Sequence, residues 1–202
     1  MNVRLPARES RRSNGADRAR RREEGRLPLA MVDQAPISST ATVAHETAEP
    51  APQLKVMLVA SSGGHLIQLY RLRPWWDRHD RIWVTFRKSD SLSMLSGETV
   101  VWAFHPTTRN LPNAARNLQL AWRTLRRSRP DVLVSCGAGV AFPFFVIAKL
   151  LGIRTVYIEV YDRIDSPTLT GRLCYPLSDL FLLQWEGQQR FYRKGKVIGR
   201  LL

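Results

Sequence analysis

The chain has 202 residues, a net charge of +14 and two cysteines, Cys136 and Cys174, whose spacing fits neither a disulfide framework nor a metal site. Residues 1–52 hold nine arginines and seven acids but almost no clustered large apolar side chains, so they are expected to be disordered and to lack a signal peptide. Residues 53–202 carry +12 and suit one domain, for which phosphorylated substrates, an anionic membrane surface and nucleic acid are the partners that charge alone permits.

Lys55–Ala60 is a continuous apolar run and predicts a buried strand. It stops at Ser61-Ser62-Gly63-Gly64-His65. A helix follows over 65–73, with Leu66, Leu69 and Leu72 on one side and Pro74 at its end. Strands are predicted at 82–86 and, after a polar connection of about a dozen residues, at 99–104. Asn110–Arg127 predicts a helix with Pro112 in its first turn. Its Arg116, Arg123 and Arg127 share one stripe, while Leu111, Leu118, Trp122 and Leu125 are placed on the opposite, apolar side. Strand 131–135 leads through Cys136-Gly137-Ala138-Gly139 into an apolar helix over 140–151, capped by Gly152. A strand at 155–159, a short helix within 167–177 and a strand at 180–185 complete the series.

Strands alternating with helices predict an α/β fold with a Rossmann-like, doubly wound parallel sheet. The apolar stretch 132–153 is read as strand, turn and helix, because Gly137, Gly139 and Pro143 interrupt it. Ligands of such sheets bind at the carboxyl ends of the strands, where 61–65, 105–110, 137–139 and 159–166 should converge.

Each motif has a functional and a structural reading. The Gly63-Gly64 turn and the helix start at His65 suit an anion, but a glycine pair after a strand also serves as a plain turn. The turn is neither a dinucleotide fingerprint nor a Walker loop, which disfavours a nicotinamide cofactor and ATP. Arg109 suits a phosphate, while Asn110 beside it suits an N-cap. Glu159 ends an apolar strand, where it could act as a base or pair with Arg163. The arginine stripe of the 110–127 helix could be a solvated face or a footing on anionic lipid. No nucleic-acid-binding signature appears, so nucleic acid is not expected as a partner.

The runs VMLVASSGGHLIQL, TTRN, RPDVLVSCGAGVAFPFFVIAKLLGIRTVYIE, SPTLTGRLCYPLSDLFLLQW and KVIGRLL occur in one order. Together they resemble the bacterial PssD/CpsF-type polysaccharide biosynthesis family. That family is similar to the acceptor-side subunit of the two-component UDP-N-acetylglucosamine transferase of asparagine-linked glycosylation. The Gly-Gly-His loop also resembles that of the amino-terminal domain of MurG.

The resemblance implies the amino-terminal half of a GT-B glycosyltransferase, working as a heterodimer with a donor-binding subunit. The expected substrate is a UDP-sugar held mainly by that partner, with no cofactor and no metal. The expected acceptor is a saccharide linked to polyprenyl diphosphate. The place of work would be the cytoplasmic face of a membrane, as a peripheral protein.

Carried onto this sequence, the resemblance gives His65 and Glu159 as catalytic residues. From the resemblance and the residues themselves together, the candidates for acceptor or phosphate binding are Ser62, Gly63, Gly64, Arg109, Asn110, Gly137, Ala138, Gly139, Thr168 and Thr170. Two rival readings are a non-catalytic scaffold that recruits the catalytic subunit and a self-sufficient small homodimeric transferase.

Overall fold

The structure is a computed structural model that describes residues 52–201. Apart from Pro52, the basic amino-terminal extension read as disordered lies outside the described residues.

Seven parallel strands form one sheet in the order β3-β2-β1-β4-β5-β6-β7. They are β1 (Lys55–Val59), β2 (Asp80–Phe86), β3 (Val100–Ala103), β4 (Val132–Ser135), β5 (Arg154–Ile158), β6 (Leu180–Leu183) and β7 (Lys196–Val197). The helices are α1 (Gly64–Tyr70), α2 (Arg73–Trp76), α3 (Ser89–Met94), α4 (Leu111–Ser128), α5 (Ala141–Leu150) and α6 (Leu169–Cys174). The chain builds β1 to β3 outward on one side, crosses back through α4, and builds β4 to β7 outward on the other. The strand order therefore reverses between β1 and β4, where doubly wound sheets form a ligand crevice.

β1 is central and covered on both faces, which is why it reads as an unbroken apolar run rather than an alternating one. Met57 and Val59 enter a core with Leu125, Phe144, Phe145, Tyr157 and Phe181. Val56 and Leu58 enter the opposite core with Leu66, Leu69, Trp76 and Trp83.

Several expectations needed correction. Pro74 does not merely end a helix; it occupies the first turn of α2, where its missing N–H costs nothing. The polar connection before β3 contains α3, whose start is fixed by Ser91 Oγ accepting from Lys88 N–H at 3.1 Å. A short β7 and two 3₁₀ turns, Tyr175–Leu177 and Glu186–Arg190, were not read from the sequence.

The largest correction concerns α4. Leu111, Leu118 and Trp122 face solvent, at 82%, 41% and 41% exposure. The buried stripe is Asn113, Asn117, Ala121 and Leu125. Two asparagines replace expected apolar side chains because they bind the segment after β3. Asn117 accepts from Phe104 N–H and donates to its carbonyl, both at 2.9 Å, and Asn113 donates to the Pro106 carbonyl at 2.9 Å. Buried amides are tolerated when their hydrogen bonds are met.

Candidate active-site cleft

The carboxyl ends of β3, β2, β1, β4 and β5 open into one cavity of about 490 Å³. Its walls are best followed strand by strand. β3 contributes His105 and Thr107, and β2 contributes Phe86 and Lys88. β1 contributes Ser61, Ser62 and His65; β4 contributes Ala138 and Gly139. β5 contributes Tyr157, and the start of α6 adds Thr168 and Thr170. No aspartate or glutamate lines this cavity, whereas Lys88, His65 and His105 all do.

His65 sits in the middle. Gly63 makes the turn possible with φ of 77°, a conformation that side chains disfavour. The His65 ring lies with Nδ1 3.3 Å from Ser61 Oγ, and Ser61 Oγ donates to the Ser62 carbonyl at 3.1 Å. With that hydroxyl proton committed, Nδ1 carries the hydrogen and Nε2 is left as an acceptor. The Cys136 thiol holds the backbone by donating to the His65 carbonyl at 2.8 Å. Burial pushes the His65 pKa below its usual 6.5, while the Asp162 carboxylate pulls it partly back. The ring is therefore neutral at pH 7 and able to accept a proton.

The floor beside it is tight. Gly137 has φ of 113°, and a Cβ there would lie 2.9 Å from the Tyr157 hydroxyl and 3.4 Å from His65 Nε2. A Cβ on Gly139 would lie 2.9 Å from Thr107. Ala138, between them, takes a left-handed φ of 66° despite its side chain. Such strain persists where surrounding structure enforces it.

Glu159 lies beneath the cleft, not in it. It is fully buried and absent from the cavity wall. Its Oε1 accepts from Thr168 Oγ1 at 2.9 Å and from Val160 N–H at 3.1 Å. Its Oε2 and the hydroxyls of Tyr157 and Tyr192 have no hydrogen-bond partner among the described residues. Burial pushes the Glu159 pKa up; the nearby Tyr192 and Thr168 hydroxyls favour the ionised form and oppose that rise. Arg163, considered as its ion-pair partner, does not bond it. The following loop is fixed instead by Gln188, which donates to the Val160 and Arg163 carbonyls at 3.0 Å.

Comparison with known proteins adds a lineage. Residues 110–201, just under half of the chain, match the family described as "Oligosaccharide biosynthesis protein Alg14 like". The human UDP-N-acetylglucosamine transferase subunit ALG14 is 26% identical over 184 residues, covering 76% of this chain and 85% of that protein. The Candida albicans subunit of the same name is also 26% identical, covering 74% and 78%. By sequence the chain is similar to these ALG14 subunits. In structure it resembles MurG from Acinetobacter baumannii, with a TM-score of 0.60 and 16% identity over 72% of this chain. UDP-N-acetylglucosamine 2-epimerase from Rickettsia bellii gives 0.58 and 16% over 74%. These likenesses establish the fold, one Rossmann-like α/β lobe of the kind those proteins contain. The chain spans about half the length of those solved proteins, 45% and 46%.

The fold gathers Ser62, His65, Ala138, Gly139, Thr168 and Thr170 onto one cavity. Gly63, Gly64 and Gly137 stand behind it in the turns. Arg109 and Asn110 are not part of its wall. Asn110 accepts from Asn113 N–H at 2.9 Å as the N-cap of α4, the structural alternative to a phosphate site. Arg109 is exposed at the same turn. Glu159 has no access to a ligand in the cavity. His105 belongs to the 105–110 segment expected at the strand ends but is not among the candidate site residues; Lys88 and Tyr157 are not singled out, because a lysine beside an arginine and a tyrosine inside an apolar strand carry no distinct signal.

Proposed function

We propose that this chain is the acceptor-binding half of a two-chain glycosyltransferase. It takes a sugar from a UDP-sugar, held mainly by a donor-binding partner, and passes it to a polyprenyl-diphosphate-linked saccharide. The observation that carries the reading is the match along most of a protein whose own name makes it a transferase subunit. The chain covers 85% of a protein named as a transferase subunit but only 45% of single-chain MurG. Among the described residues one lobe is seen, with its cleft at the carboxyl ends of the strands. A complete transferase of this architecture needs a second lobe of similar size.

His65 is the group placed to act on the acceptor. As the acceptor hydroxyl oxygen bonds to the anomeric carbon, the bond from that carbon to the UDP oxygen breaks. UDP leaves with the bonding pair, and the hydroxyl proton passes to His65 Nε2. This chain needs no cofactor in that step. The expected result of the direct test is plain. The purified chain alone transfers no sugar to a lipid-linked acceptor, and adding the donor-binding subunit gives turnover. Robust turnover by the isolated chain would overturn the split-enzyme reading.

Membrane attachment at a cytoplasmic face is supported by the outward side of α4. Among the described residues no helix is long and apolar enough to cross a membrane. Leu111, Leu118 and Trp122 instead form an exposed apolar stripe. Arg126 lies over the Trp122 ring at 5.6 Å and Arg116 over the Phe104 ring at 5.9 Å. Apolar side chains flanked by cations suit the boundary of an anionic bilayer, each cation contributing about 1 kcal/mol. Changing Leu118 and Trp122 together to glutamate is expected to release the chain from anionic vesicles in flotation, without lowering its melting temperature. Vesicle binding equal to wild type would remove α4 from the membrane contact.

A further inference from the structure

One amide of the glycine turn, that of Gly63, is already taken. Gly63 N–H donates to Asp90 Oδ2 at 2.6 Å. Asp90 stands in the first turn of α3. A phosphate placed on that turn would meet a carboxylate at close range, and like charges there repel.

Charge on the cleft wall is also unevenly spread. Lys88 and His105 lie at the ends of adjacent strands β2 and β3, and the His105 ring packs 5.3 Å from that of Phe86 between them. Thr107 adds a hydroxyl on the same side. The opposite wall, at the start of α6, presents Thr168 and Thr170, side chains without charge, over the buried ring of Tyr157. Four strand spacings separate β3 from β5, roughly 19 Å. An extended ligand therefore meets the Lys88 ammonium and the His105 ring at one end, His65 in the middle and neutral hydroxyls at the other.

The outward apolar stripe of α4 begins on the Lys88–His105 side of the cleft. The segment after β3 runs directly into α4, and Leu111 at the start of α4 is 82% exposed. That residue begins the outward apolar stripe. A ligand whose tail leaves along this stripe passes Lys88 and His105 before its head reaches His65.

We propose that the diphosphate of the lipid-linked acceptor is seated on Lys88 and His105, with Thr107, and not on the Gly63-Gly64 turn. The saccharide then extends across His65 toward Thr168 and Thr170. The ammonium of Lys88 is a compact point charge suited to phosphate oxygens. Asp90 bonds the Gly63 amide and sets a carboxylate beside the turn, so one short helix both carries Lys88 and disfavours phosphate at the turn. The inference rests on the acceptor reading above.

The test uses the full chain and two probes, farnesyl diphosphate and inorganic pyrophosphate, titrated by calorimetry at low and moderate salt. Wild type is expected to bind farnesyl diphosphate with a salt-dependent affinity. Lys88→Met is expected to weaken that binding at least tenfold, and His105→Asn severalfold. Arg109→Met is expected to stay within twofold of wild type. Lys88 and His105 are exposed, so unchanged melting curves will confirm that both variants fold. A parallel loss of pyrophosphate binding supports the headgroup as the contact. Lys88→Met and His105→Asn binding as wild type does would overturn the placement while leaving the acceptor reading intact. Failure of wild type to bind either probe would instead sink the acceptor reading itself.

Discussion

Replacing His65 by alanine is expected to lower turnover of the reconstituted two-chain transferase by about 10²- to 10⁴-fold, the usual contribution of a positioned general base. The acceptor KM should change little, because the charged end of the acceptor is assigned to other residues. The reason lies in how the ring is held. Ser61 fixes Nδ1, the Cys136 thiol fixes the backbone, and the Gly137 turn leaves space beside Nε2. The ring is partly buried, and burial lowers its pKa below 6.5.

The sign of the pH effect follows. As pH falls through the folded-state pKa, His65 takes up a proton and can no longer accept one from the acceptor. The acidic limb of kcat/KM should therefore fall below about pH 6.5, and this limb should disappear from the residual activity of His65→Ala. Stability moves in the same direction. The unfolded chain protonates this histidine at a higher pH than the folded chain, so its stabilising contribution declines as pH drops from about 6.5. An alanine variant that folds normally and keeps more than a third of wild-type turnover would exclude His65 as the base.

The sequence made the frame of the sheet readable because its central strands are continuous apolar runs, a pattern that survives without any knowledge of their neighbours. It failed where tertiary partners decide. α3 is Ser89-Asp90-Ser91-Leu92-Ser93-Met94, too short and serine-rich to show helical periodicity, and its start depends on Ser91 bonding backbone at Phe86 and Lys88. Because α3 was unread, Lys88 and Asp90 were unread with it, and the glycine turn was credited with an amide that Asp90 occupies. The face of α4 was misread for a related reason. Asn113 and Asn117 are buried because the segment after β3 supplies their partners, and hydropathy cannot register such a match. His65 was legible since a titratable ring directly after a strand-ending glycine turn has few other places to go. Glu159 was legible as a costly carboxylate at a strand end, but the sequence could not say which way it turns.

That orientation gives the second large expected effect, at Gly171. This glycine starts no turn and has no unusual φ; it is required for space. A Cβ there would fall on Glu159 Oε2, 2.5 Å from the Tyr192 hydroxyl and 2.7 Å from Thr168 Oγ1. All three groups belong to the packed floor beneath Thr168 and Thr170. Gly171→Ala should cost about 2–4 kcal/mol through overpacking and disturbed buried polar groups. For a domain of this size that is a drop in melting temperature of roughly 5–15 °C.

Glu159→Gln should behave differently. The amide keeps the shape and still accepts from Thr168 and Val160, so stability at neutral pH should stay within about 1 kcal/mol of wild type. Turnover should stay within threefold, since the side chain supports the floor and does not touch the acceptor. The pH dependence separates the two variants further. A carboxyl whose folded pKa is raised stabilises fully below its unfolded pKa of about 4.5, and that contribution is lost as pH rises through the folded value. Glutamine removes this dependence, so Glu159→Gln should gain on wild type as pH increases, whereas Gly171→Ala should stay destabilised throughout. If Glu159→Gln instead lost turnover a hundredfold at unchanged stability, Glu159 would have to reach the cleft, and the floor described here would have to open during catalysis.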